Sequence, residues 1–81
     1  MKKRFYYTYY FNKAKYTICL ERGIVKKEIE SAIQSYIYKY NICREKECII
    51  DYNQSIGIEF NIVDITDDEY SIEVHNIFIN N

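Results

Sequence analysis

The sequence predicts an α+β fold: a single helix packed on one face of a five-stranded sheet, in the order β-β-α-β-β-β, with residues 1–81 forming a single compact domain. Three observations predict it. Over most of the chain, apolar and polar residues alternate with a period of two, the mark of half-buried strands. From Ile24 to Tyr40 the spacing changes to three and four, the mark of a helix. Finally, 81 residues with no proline and two glycines, apolar from end to end, suit one small domain without a disordered tail.

The first strand spans residues 4–12. Phe5, Tyr7, Tyr9 and Phe11 point one way, and Arg4, Tyr6, Thr8 and Tyr10 the other. A second strand is expected over 15–21, with Tyr16, Ile18 and Leu20 on the core face and Cys19 on the opposite one. Asn12-Lys13-Ala14 is short enough for a hairpin loop between them. Arg22-Gly23 then breaks the pattern. The helix from Ile24 to Tyr40 places Val25, Ile29, Ala32, Ile33, Tyr36, Ile37 and Tyr40 on one face. Asn41, which tolerates positive φ, is its expected stop.

Three strands complete the chain. Residues 46–52 put Cys48, Ile50 and Tyr52 on one face, and Asn53-Gln54-Ser55 forms a turn. Residues 56–64 put Ile56, Ile58, Phe60 and Ile62 inward. Thr66-Asp67-Asp68-Glu69 is a second turn. In residues 70–79 the apolar phase shifts from Tyr70, Ile72 and Val74 to Ile77 and Ile79. A bulge near His75-Asn76 explains the shift, and so does a fully buried strand end.

Five strands span roughly 24 Å, whereas one helix is about 10–12 Å wide. One sheet face therefore stays open, and Tyr6 and Tyr10 are expected on it beside Arg4, Thr8, Lys15 and Thr17. Tyrosine suits such a place, with a ring to bury and a hydroxyl that stays wet.

Charge is distributed unevenly along the chain. All 11 lysines and arginines lie in residues 1–46, beside four acids (Glu21, Glu28, Glu30 and Glu45). Residues 47–81 carry the other eight acids and no lysine or arginine. A net charge of −1 thus conceals a basic half and an acidic half. If the halves segregate in space, their fields steer charged partners; if they interleave, they only assist folding.

Other chemistry finds little support. His75 is the sole histidine and has no serine or cysteine partner at a catalytic spacing, so the protein is not expected to be an enzyme. No cofactor motif occurs. Asp67-Asp68-Glu69 lacks the alternating ligands and bend glycine of a calcium loop. Cys19, Cys43, Cys48 and His75 could supply four zinc ligands in number, but the expected strand faces point Cys19 and Cys48 apart; no metal is expected. An odd number of cysteines excludes a closed disulfide framework within one chain. Met1-Lys2-Lys3-Arg4 is followed by tyrosines, not by the aliphatic run of a signal peptide, and no apolar stretch approaches a membrane span. The expected location is the cytoplasm, that of the host cell for a phage gene. Residues with AT-rich codons (Ile, Asn, Lys, Tyr, Phe) make up more than half the chain. They imply an AT-rich genome: a low-GC bacterium, its phage or plasmid, or a virus.

The expectation is a protein that works by binding. Asp51, Glu59, Asp64, Asp67, Asp68, Glu69 and Glu73 would imitate nucleic-acid phosphates and occupy a basic groove of a host protein, with Tyr6 and Tyr10 adding contact area. In size and charge the chain resembles small phage-encoded nuclease inhibitors, which implies a nucleic-acid-binding effector as partner, such as a CRISPR nuclease. A homodimer through the open face is another version of the interface. The alternative is a single-stranded nucleic-acid-binding module that stacks bases on the basic, tyrosine-rich N-terminal hairpin through Arg4, Tyr6, Tyr10 and Lys15. The glycine-and-aromatic motif of RNA-recognition sheets is missing. The plainest reading is a tyrosine-rich surface encoded by an AT-rich genome.

Overall fold

The structure, a computed structural model, describes residues 3–79. It is an α+β fold with two helices and a four-stranded sheet. The elements are β1 (Arg4–Tyr9), α1 (Lys13–Glu21), α2 (Lys26–Lys39), β2 (Lys46–Asn53), β3 (Ile56–Ile65) and β4 (Glu69–Ile79). The expected five-stranded sheet with one helix is overturned, because the segment assigned to a second strand is α1.

The reason lies at both ends of that segment. Asn12 does not open a hairpin. Its side-chain Oδ1 accepts the Lys15 N–H at 2.8 Å from an extended backbone, which caps the first turn. Lys13, Ala14 and Lys15 are good helix formers. At the far end Gly23 adopts φ +78°, its N–H donates to the Leu20 carbonyl at 2.9 Å, and the Ile24 N–H donates to that of Cys19 at 2.8 Å. This pair of bonds is a Schellman stop, and Cys19 and Ile24, the two residues it joins, are both buried in the core. The apparent alternation was misleading. Ile18 and Leu20 are exposed, whereas Cys19, expected off the core, is fully buried.

The second helix follows its sequence pattern closely. Ile29, Ile33 and Ile37, spaced by four, are buried. Asn41 takes φ 51°, and the Ile42 N–H donates to the Ile37 carbonyl at 3.0 Å, a second Schellman stop. The sheet order is β1-β4-β3-β2. Tight turns link β2, β3 and β4 as antiparallel neighbours, and the two helices carry the chain from β1 to the far edge. Thus β1 pairs with β4 in parallel.

Both helices lie on one side of the sheet. Phe60, Ile62, Ile72 and Val74 meet the isoleucines of α2 there, and Tyr36 packs edge-on to Phe60. Phe5 stacks on Tyr70, whose hydroxyl donates to the Ile42 carbonyl at 2.9 Å. Three irregularities bend the sheet. Tyr52, Val63 and His75 are extra residues in β2, β3 and β4 respectively. The one at His75 accounts for the phase shift in the sequence of β4.

Candidate functional site

The opposite side of the sheet has no covering layer among the described residues. Its surface follows from strand register. Across the sheet lie Arg4 and Glu69; then Tyr6, Ser71 and Asp64; then Thr8, Glu73, Asn61 and Glu47; then Asn76, Glu59 and Ile49; and finally Phe78, Gly57 and Asp51. Neighbours within a row stand about 4.8 Å apart, and successive rows about 6.6–6.8 Å. Six carboxylates therefore share one face, with Arg4 at its edge. None of them makes an ion pair with a lysine or arginine among the described residues.

Every residue expected at a partner-binding surface stands on this face or its rim. Asp51, Glu59, Asp64, Glu69 and Glu73 belong to the rows above. Asp67 and Asp68 occupy the β3–β4 turn. There Thr66 Oγ1 accepts the N–H groups of Asp68 at 3.3 Å and Glu69 at 3.1 Å, fixing the turn beside the face. Tyr6 and Tyr10 are about half exposed, at 49% and 56%. Lys13, Lys26, Lys27 and Lys39 belong to the helices of the other layer, whereas Lys15 of α1 extends its ammonium to the open face at Asn76. The charge separation along the chain is kept in part: six carboxylates share the sheet face with Arg4 and the tip of Lys15, while Lys13, Lys26, Lys27 and Lys39 sit on the helices together with Glu21, Glu28 and Glu30.

The bulge organises the middle of the face. His75 stacks on Tyr10 with ring centroids 5.0 Å apart and planes 12° from parallel. Its Nε2 lies 2.9 Å from Glu73 Oε1, and the Asn61 amide lies 3.4 Å from the same nitrogen. The Tyr10 hydroxyl donates to Glu73 Oε2 at 3.4 Å. Lys15 reaches round from α1 and donates to Asn76 Oδ1 at 3.1 Å.

Among the charged, ring-bearing and apolar side chains of this surface, sequence reasoning missed Glu47, Ile49, His75 and Phe78. Ile49 is 66% exposed, the most exposed large apolar side chain among the described residues, and Phe78 is 38% exposed over Gly57. The alternation of β2 already placed Glu47, Ile49 and Asp51 opposite Cys48 and Ile50, so that signal was present. Phe78 reached this side only through the bulge.

On the helix side, β1 is tied to α2. The Tyr7 hydroxyl donates to the Glu30 carbonyl at 3.2 Å and accepts from the Gln34 amide at 2.9 Å. The Tyr9 hydroxyl donates to the Glu30 carboxylate. Burial pushes the Tyr7 phenol up to about 12, with Gln34 opposing the rise and Glu30 adding to it. Burial and Glu30 push Tyr9 up as well. The Lys26 ammonium lies 4.7 Å from the Tyr9 ring centroid and 5.1 Å from that of Tyr16. These contacts are structural and lie away from the open face.

The expected basic N-terminal hairpin does not exist, because residues 13–21 are helical. Arg4, Tyr6 and Tyr10 share β1's open side, but Lys15 belongs to α1, and Glu69 and Glu73 flank the tyrosines. Cys19 and Cys48 are buried and Cys43 is exposed. Among the described residues no group of three or more metal-binding side chains converges, and no helix is long and apolar enough to cross a membrane. A groove of about 460 Å³ runs between α2 and Tyr52, along Val25, Ser31, Ala32 and Ser35. Tyr52 and Glu28 hydrogen-bond to each other at its side, and it gathers no reactive set. No protein-family model, curated protein or solved structure matches the chain.

Proposed function

We propose that the protein acts by binding, and that its open sheet face occupies a basic surface on a partner protein, of the kind that nucleic-acid-binding proteins present to phosphates. One observation carries the reading: six carboxylates in register on one face, without lysine or arginine partners among the described residues. Such a face attracts cationic surfaces and repels phosphates. Tyr6, Tyr10, Ile49 and Phe78 supply exposed apolar area among the charges, and aromatic anchors are the usual energetic centres of interfaces. The target class remains a nuclease or another nucleic-acid-handling protein of the host, and the protein serves as an inhibitor by occupying its groove.

The test uses a fluorescent arginine- and lysine-rich peptide, with a single-stranded oligonucleotide in parallel. The peptide is expected to bind at low salt and to dissociate steadily as salt rises. The triple variant Glu47→Gln/Glu59→Gln/Glu73→Gln, changed only on the open face, is expected to lose most of that affinity. A peptide that binds the triple variant equally well, or an oligonucleotide that binds in preference to the peptide, overturns the reading.

A further inference from the structure

The sheet has two edges, β1 and β2, and they differ in how they meet the solvent. Natural sheets guard their edges with charge and bulges, because an unpaired edge templates association. The β2 edge is guarded. It carries Lys46, Glu47 and Asp51, and Tyr52 bulges within it. Pairing two copies about Ile49 sets Glu47 opposite Asp51 of the second copy. Pairing about Ile50 sets the two Asp51 side chains on a diagonal. Either register brings like charges together.

The β1 edge lacks this protection. Its residues are Arg-Phe-Tyr-Tyr-Thr-Tyr, with one charge. The Arg4 N–H donates to the Asp68 carbonyl at 2.8 Å and the Tyr10 N–H to the Val74 carbonyl at 2.9 Å. The alternation of a parallel ladder then turns the even-numbered backbone groups toward β4 and those of Phe5, Tyr7 and Tyr9 outward. No described residue offers these outward groups a backbone partner. The rings of the same three residues are only partly buried, because no further strand lies beyond them.

We infer that β1 pairs antiparallel with β1 of a second copy, about a two-fold axis at Tyr7, joining two sheets into one of eight strands. Parity favours this register. The outward groups of Tyr7 bond to those of Tyr7 in the second copy, and those of Phe5 to those of Tyr9. Side chains then match on both faces. Phe5 meets Tyr9 on the helix side, where further ring area leaves water. Tyr6 meets Thr8 on the open side, and Arg4 meets the ring of Tyr10. No like charges oppose. The axis stands perpendicular to the sheet, so the two acidic faces become one continuous surface. The inference stands on the edge alone and is independent of what that surface binds.

The test is sedimentation of the full chain over a range of concentrations, followed by cross-linking in a Cys43→Ser background. Tyr6 and Thr8 of the second copy form a non-hydrogen-bonded pair, with Cα atoms about 4.5 Å apart, close enough for a disulfide. A mixture of Tyr6→Cys and Thr8→Cys proteins is expected to form a mixed disulfide dimer on mild oxidation. Each variant alone is expected to stay uncross-linked. A protein that remains monomeric at millimolar concentration overturns the inference. So does a dimer whose mixed variants fail to cross-link, or one in which Tyr6→Cys cross-links to itself.

Discussion

Replacing Gly23 by alanine tests the reassignment of residues 13–21 by the sign of its effect. At φ +78° a side chain is strained by backbone geometry alone, since a Cβ built there meets nothing within 4 Å. The left-handed conformation costs an L-residue about 1–2 kcal/mol. Alanine also restricts the unfolded chain, which returns about 0.4–1 kcal/mol. The net expectation is a destabilisation of about 1 kcal/mol. Asn12→Ala, which removes the cap at the other end of α1, costs about 1 kcal/mol as well. The two sites lie about 15 Å apart along the helix, so the losses add to about 2 kcal/mol. Urea unfolding followed by circular dichroism reads each loss as a fall in midpoint of about 0.5–1 M. Gly57→Ala is the control. Its φ is not left-handed, and its new methyl would sit at ordinary contact distances, 3.5 Å from the Ile50 carbonyl oxygen and 3.6 Å from Phe78. It is expected to be neutral or stabilising by up to about 1 kcal/mol. A Gly23→Ala variant at least as stable as the parent would refute the Schellman stop, and with it the helix.

Two further outcomes follow from burial. Burial raises the pKa of the Cys19 thiol, against the pull of Lys15 and Arg22, and that of the Cys48 thiol, against Lys46; Cys43 is exposed. A thiol reagent on the native protein is therefore expected to modify one cysteine quickly and the other two only as the chain unfolds. Fast modification of all three would contradict the buried position of Cys19. In strong alkali, the native state holds the Tyr7 proton up to about 12, whereas the unfolded chain releases it near 10. Stability is thus intact below pH 10 and falls as pH rises toward 12, by about 1–2 kcal/mol from this group. Tyr9 acts in the same direction. A urea midpoint that holds constant through this range would show that the two phenols are not buried against α2.

The acidic surface was legible in outline. Charge counting isolated the carboxylates of residues 47–73, and strand alternation placed Glu59, Asp51 and Glu73 opposite the isoleucines. What it could not give was adjacency. That Glu73, Asn61 and Glu47 lie in one row depends on the strand order and on the extra residues Val63 and His75, which shift the register. The same bulge turns Phe78 outward.

Local sequence alone determined α2, through isoleucines repeating every fourth residue and an asparagine able to take positive φ. It also determined the three C-terminal strands, through alternation broken by short polar turns. Residues 13–21 were decided elsewhere. Tyr-Thr-Ile-Cys-Leu satisfies a period of two as well as a turn of helix, and the burial of Cys19 in the core, together with the Asn12 cap and the Gly23 stop, selects between them. The placement of β1 beside β4, sixty-five residues further along the chain, was likewise a tertiary choice. Propensity and capping act over a few bonds, whereas strand neighbours are chosen by which apolar faces can be buried together.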